Sequence, residues 1–135
     1  MAFQGTLFIQ GREYNVLECD YEFNQPIDNN YKPSAYTAGG LINFTLDAVN
    51  EEDTLFHEWM MSISEVKEGY FILPTKKDTT EKMKRVNFKH AHCIRLYEYF
   101  NNRSGEEMIM KVTLSAAFIN FGGKAEFHNR ELKKK

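Results

Sequence analysis

The sequence predicts a mainly β fold, a small antiparallel β-barrel or two-sheet sandwich with one amphipathic α-helix lying against it. Three observations carry this expectation. Apolar and polar residues alternate with a period of two through most of the apolar runs, the pattern of strands with one wet side. Only one run, Leu55 to Ile63, has helical spacing. Clusters of Gly, Asn, Asp and Pro separate the runs, and these residues favour turns.

Thr6 to Gln10 reads as a short strand, Gly11-Arg12 as a turn and Tyr14 to Phe23 as a second strand, together an antiparallel hairpin. In the second strand Leu17, Cys19, Tyr21 and Phe23 share the apolar face, opposite Glu18, Asp20 and Glu22. Residues 24–40 break the alternation with Pro26, Asp28, Asn29, Asn30, Pro33, Ser34 and Gly39-Gly40. A loop of that length is uncommon in a compact domain, and is usually functional or disordered. It also carries Ile27, Tyr31 and Tyr36, unusual for a merely flexible linker. It is read as an arm that packs on something, another subunit being one candidate.

Leu41 to Val49 alternates again, with Ile42, Phe44, Leu46 and Ala48 on one face. Leu55, Phe56, Trp59, Met60 and Ile63 then form a helical stripe, which places a helix over roughly Asp53 to Ser62. Asp53 or Thr54 can cap its start, and Glu51, Glu52 and Asp53 suit the positive helix N-terminus. Gly69 to Lys76 is a strand whose Pro74 points to an edge or an end. Lys77 to Lys82 is a polar turn, Met83 to Phe88 and Ala91 to Phe100 are further strands, and Asn101 to Gly105 is a hairpin turn. Met108 to Asn120 is the last long strand, with Met110, Val112, Leu114, Ala116 and Phe118 on one face. Gly122-Gly123 ends it, and residues 122–135 are a polar C-terminal tail finishing in three lysines.

The 135 residues argue for a single domain over 1–135. A net charge of −2 gives no global pull toward nucleic acid or anionic lipid. No apolar run approaches the roughly 20 residues of a membrane helix. The opening Met1-Ala2-Phe3-Gln4-Gly5-Thr6 lacks a basic stretch followed by an apolar one. A cytoplasmic origin is therefore expected, and any export would proceed without a cleaved leader. Cys19 and Cys93 lie in strand-like runs and are expected to be free, buried or half-buried thiols.

Signatures of catalysis are missing. There is no Gly-x-Ser-x-Gly elbow, no phosphate loop and no dinucleotide fingerprint; Gly122-Gly123-Lys124 lacks the earlier glycine and the following Ser or Thr. His90 and His92 can share a strand face, but a metal site needs three or four convergent ligands. Glu51-Glu52-Asp53 and Glu106-Glu107 sit at ends of elements, where charge serves capping and solubility. No catalytic, cofactor or metal site is expected. The charges segregate more tellingly: Asp47, Glu51, Glu52, Asp53, Glu58, Glu65 and Glu68 make one segment acidic. Lys76, Lys77, Lys82, Lys84, Arg85 and Lys89 make the next one basic. Two solvated surfaces are the plainer account, and the favoured one on the charges alone. Complementary patches on a self-associating subunit are the sharper account, and fit head-to-tail contacts that close into rings or run into filaments.

The run Tyr14 to Gln25 resembles the second strand of the Bacteroidetes-type TssD proteins, the Hcp family of type VI secretion inner-tube proteins. The similarity continues through Pro33-Ser34, Gly39-Gly40, Ile42 to Leu46, Leu55-Phe56-His57-Glu58-Trp59-Met60 and Met83 to Phe88. It runs on through Ala91 to Asn101 and Met108 to Ile119, so it spans nearly the whole chain. The resemblance implies a small β-barrel with a helix on one side. It implies homohexameric rings stacked into a tube inside a contractile sheath, a spike protein at the tip, and effector proteins carried in the lumen. It implies secretion by the type VI apparatus. The loop between the second and third strands is expected to reach the next ring, which makes Ile27, Tyr31, Pro33, Tyr36 and Gly39 the candidates for inter-ring contact. For contacts within the ring, the wet face of the helix and parts of the basic strands are the candidates. The alternatives are a phage or phage-like contractile tail-tube protein, and a monomeric β-barrel holding a small apolar ligand; an enzyme comes last.

Overall fold

A computed structural model of the chain describes residues 5–47, 49–75, 83–100, 108–123 and 125–129. Among them seven strands and one short helix follow in the order β1 (Gly5–Ile9), β2 (Arg12–Tyr21), β3 (Leu41–Asp47), α1 (Leu55–Met60), β4 (Lys67–Pro74), β5 (Met83–Tyr99), β6 (Ile109–Asn120) and β7 (Glu126–His128). Neighbours pair antiparallel in the order β3-β2-β1-β4-β5-β6-β7, and a further pairing of β3 with β6 closes six of the strands into a barrel. The expected barrel with one helix is the fold observed. The turns expected at 77–82 and 101–105, and the end of the tail from 130, lie outside the described residues.

The alternation puts the expected apolar rings inside. Leu7, Ile9, Ile42, Phe44, Leu46, Phe71, Val86, Phe88 and Leu114 are buried in one core. Phe71 joins the two sides of it, with its ring 5.0 Å from Phe44 and 6.4 Å from Phe88. A small-ligand barrel would need a chamber where these rings stand.

Local departures from a strict period of two explain where the sequence reading needs correction. The β1–β2 turn is Gln10-Gly11, one residue earlier than expected, with both φ angles positive at 50° and 76°; that geometry matches the twist of a tight hairpin. The register of β2 on β3 shifts between Val16 and Glu18. Leu17 is thereby bulged out and 41% exposed, not on the apolar face. The inward set passes from Tyr14 and Val16 to Cys19 and Tyr21, since an inserted residue resets the alternation. β5 is one strand where two were expected. It bends at His90, whose φ is 55°, instead of ending. Its inward residues pass there from Phe88 to Ala91, and those of β6 pass alongside from Ile119 to Ala116. Phe118 is therefore not on the inner face of β6; it stands half-buried on the outside, edge-on to His128 at 4.9 Å.

Each mouth of the barrel is closed differently. At one, α1 buries Leu55, Phe56 and Trp59, with Phe56 edge-on to Tyr14 at 4.9 Å and Trp59 Nε1 donating to the Glu65 carbonyl at 3.1 Å. Asp53 anchors the helix start. Its Oδ1 accepts from the Leu55 amide (3.0 Å) and from Arg12 (2.6 Å), and its Oδ2 accepts from Tyr14 (2.8 Å). Burial, then the bond to Asp53, pushes the Tyr14 pKa up. The helix stops at Met60, so Ile63, expected in the apolar stripe, is 99% exposed. At the other mouth the Phe23 ring meets Phe121 and Phe127, with centroids 5.6 and 5.1 Å away. Phe127 belongs to β7, which lies inside the segment expected to be polar tail. A three-residue strand is too short to show a period.

Candidate assembly surfaces

Two exposed features have the construction of contact surfaces. The first is the outside of the wall made by the second half of β2, β3, β6 and the second half of β5. Registers align its outward residues in rows. Asp20 faces Asn43, Asn43 faces Thr113, and Thr113 faces Arg95. Asn43 Nδ2 donates to Asp20 Oδ1 (2.8 Å), and Thr113 Oγ1 donates to Asn43 Oδ1 (2.7 Å). One turn of the pleat away, Glu18, Thr45, Lys111 and Tyr97 make a parallel row. The Arg95 guanidinium sits 5.7 Å from the Tyr97 ring centroid. The inward side of the same wall is apolar, so the strands expose only this one polar face.

Both outer strands of this wall have an edge that no described strand covers. β1 pairs with β2 only as far as Val16, and β4 pairs with β5 only as far as Ala91. Leu17–Tyr21 and His92–Tyr99 therefore have strand neighbours on one side, β3 and β6 respectively. Each half also carries a bulge, at Leu17 and at Ile94, and both bulged residues are exposed. Open edges invite pairing with another chain, and bulges restrict which chain fits.

The second feature is the arm, residues 24–40, at the mouth opposite α1. Its two legs run antiparallel and are joined by isolated bridges. Asn24 and Ala38 exchange backbone bonds (3.0 and 2.7 Å), Asp28 N donates to the Lys32 carbonyl (2.8 Å), and Ser34 N donates to the Pro26 carbonyl (2.8 Å). Asp28 Oδ1 accepts from the amides of Asn30 and Lys32, which folds the tip. The candidates from the sequence separate here. Ile27 (57%), Tyr31 (84%) and Tyr36 (70%) are exposed along the arm. Pro33 pairs across from Ile27. Gly39 lies at the base, where a Cβ would come within 2.5 Å of the Phe23 ring. Tyr31 holds a positive φ of 64°, a strained setting for an aromatic residue.

The residues weighed for chemistry do not converge. His90 and His92 face each other edge-on with centroids 6.4 Å apart. Among the described residues no group of three or more His, Cys, Asp or Glu side chains is placed to hold a metal. Both cysteines are free; burial pushes Cys19 up to about 12 and Cys93 up to about 11, so neither is an activated thiol. Part of the acidic segment is neutralised within the chain, Asp53 by Arg12 and Glu65 by Lys67. Lys76, Lys77 and Lys82 of the basic segment lie outside the described residues. The polar rows escaped the sequence reading. Glu18 and Asp20 were legible as a wet face, but which residues stand beside them is set by registers between strands far apart in the chain.

Residues 1–130 match the model of the family described as hemolysin coregulated protein Hcp (TssD). The chain belongs to the Hcp family. Its members are structural tube proteins of type VI secretion systems, secreted components that form tube rings. Hcp1 from Flavobacterium johnsoniae is 30% identical, with a TM-score of 0.81 over 94% of this chain and 100% of that one. Hcp1 from Salmonella typhimurium is 12% identical, with a TM-score of 0.69 over 88% of this chain and 85% of that one. A chain of the sheath–tube complex of an extracellular contractile injection system is 16% identical, with a TM-score of 0.50 over 94% of this chain and 90% of that one. No curated protein matches.

Proposed function

We propose that this Hcp protein acts mechanically, as a ring-forming subunit whose open-edged wall joins side by side with copies of itself and whose arm joins ring to ring. The observation that carries this reading is the antiparallel order β2, β3, β6, β5 with an open edge at each end. Strand directions alternate across the wall, so the β2 edge of a second copy meets the β5 edge antiparallel. Repeating this step is a heterologous contact, which makes a ring where its rotation closes and a filament where it does not; the rings formed by the family favour closure. The polar rows then form the inner or outer skin of one continuous sheet. The homohexamer, the sheath around it, the spike at its tip and effectors in its lumen are the assembly this subunit would serve. Ile27, Tyr31, Pro33 and Tyr36 on the arm are the proposed axial contacts, with Gly39 holding the arm's base. A phage-like injection particle would use the same subunit architecture, and the 16% identity to the injection-system chain supports a shared fold alone.

Light scattering of the purified chain, followed by negative-stain imaging, tests the reading. A hexameric mass with an open centre is expected. A monomer at every concentration and salt tried would overturn it. Tyr31→Ser should leave single rings intact and reduce their stacking.

A further inference from the structure

Each polar row of the open wall ends in opposite chemistry at its two edges. On β2 the row ends are the carboxylates of Asp20 and Glu18; on β5 they are the Arg95 guanidinium and the Tyr97 hydroxyl. All are outward residues; Glu18, Asp20 and Arg95 are exposed, and Tyr97 is 45% exposed. Within the chain these charges are incompletely used. Asp20 accepts from Asn43, and Glu18 accepts at 3.4 Å from Thr45. Among the described residues the salt bridges are Arg12–Asp53, His57–Glu98, Lys67–Glu65 and His128–Glu126, so neither Arg95 nor the two carboxylates is ion-paired.

We infer that Arg95 of one copy forms an ion pair with the Glu18 and Asp20 carboxylates of the next, joining the polar rows across the subunit boundary. This rests on the ring reading above. When β5 meets the neighbouring β2 antiparallel, the step from Arg95 to Tyr97 runs alongside the step from Asp20 to Glu18. The guanidinium can then meet the carboxylates while the Tyr97 hydroxyl donates toward Glu18. The Arg95 cation at one edge and two carboxylates at the other also disfavour the wrong pairing of two β2 edges or two β5 edges, where like charges would oppose. A row that is hydrogen-bonded from Asp20 through Asn43 to Thr113 holds the acidic end at a fixed height, which suits it to meet a partner. The bulges at Leu17 and Ile94 lie one residue from Glu18 and Arg95, so they bear on the register at the same place.

The test uses two oppositely charged variants of the full chain, Arg95→Glu and the double variant Glu18→Lys with Asp20→Lys. Circular dichroism and thermal melting first establish that each is folded, with Asn43 retained in both. Each variant alone presents like charge at both edges, and is expected to raise the concentration for ring assembly about tenfold or more. An equimolar mixture of the two is expected to restore rings, since alternating copies place opposite charges at every boundary. Combining all three substitutions in one chain should restore them as well. If Arg95→Glu alone assembles as the wild type does, the ion pair is wrong while the ring reading stands. If the folded variants fail alone and the mixture also fails, the pair is again wrong. If the wild type is a monomer throughout, both readings fall.

Discussion

On the wall of β2, β3, β6 and the second half of β5, outward side chains form hydrogen-bonded rows and the outer strands keep an edge that no described strand covers. On the opposite side, β1 lies between β2 and β4, and β4 lies between β1 and β5. There the outward groups stack on one another, Phe8 on Tyr70 at 4.6 Å and Arg85 over Tyr70 at 3.7 Å. Both walls bury the same kind of apolar residue on the inside. Their difference is therefore written in what the outer residues reach for. Arg85 lies close over an aromatic face, 3.7 Å from Tyr70, whereas Arg95 at the edge stands farther from its ring, 5.7 Å from Tyr97, and has no acidic partner among the described residues. One wall is closed within the chain, and the other carries the edges proposed above to meet a neighbour.

Four substitutions or conditions separate the two walls, in falling order of effect. Phe71 touches rings from both, so Phe71→Ala should cost about 3–5 kcal/mol in denaturant unfolding and remove assembly along with stability. Thr113 is 7% exposed and donates to Asn43 in the row. Thr113→Val should cost about 1–2 kcal/mol, with Thr113→Ser restoring most of it, because a valine leaves Asn43 Oδ1 short of a donor. Arg85→Ala, on the closed wall, should cost about 0.5–1 kcal/mol by chemical denaturation and leave ring formation unchanged. That outcome contrasts with Arg95→Glu, whose effect should fall on assembly rather than on the fold.

The smallest effect is alkaline. Cys19 and Cys93 line the inner side of the open wall, and burial raises them from an ordinary 9.0 to about 12 and about 11. The folded protein favours the protonated thiols, so their contribution is present below pH 9 and fades as pH rises through those folded values. Melting temperature measured from pH 8 upward should fall more steeply for the wild type than for the Cys19→Ala, Cys93→Ala double variant. Equal slopes would show that the thiols carry none of the loss. Tyr14, held protonated at the helix mouth, acts in the same direction and is unchanged by that variant.

Much of this architecture was legible before the structure. The alternations in β2, β3 and β6, the single helical stripe of Leu55, Phe56 and Trp59, and the long arm each follow from local chemistry. What stayed hidden has one physical cause, that a residue's neighbours across a sheet depend on register. A single inserted residue moved Leu17 out of the apolar set. The left-handed backbone at His90 let β5 run through what looked like a break. Phe127 sits in polar surroundings in sequence, and only the ring cluster at the mouth shows why it is buried. The assembly surfaces were half visible: the arm stood out by its length and its tyrosines, but Asp20, Asn43, Thr113 and Arg95 come from four separate strands.

β5 belongs to both walls. Its first half is paired with β4, and its second half ends in the open edge. Phe88, Ala91 and Cys93, all buried, pin it where it crosses from one wall to the other. An edge strand held by a single neighbour would ordinarily fray, and an incoming partner would have to order it at some cost in entropy. Here Cys93 is in the core and Leu96 packs partly against it, so the start of the edge cannot peel away without opening the core. It is preorganised, so more of the free energy of each new contact goes into binding. Hydrogen exchange should find the amides of His92–Tyr99 that bond to β6 nearly as slow as those of β6 itself, even in the lone subunit.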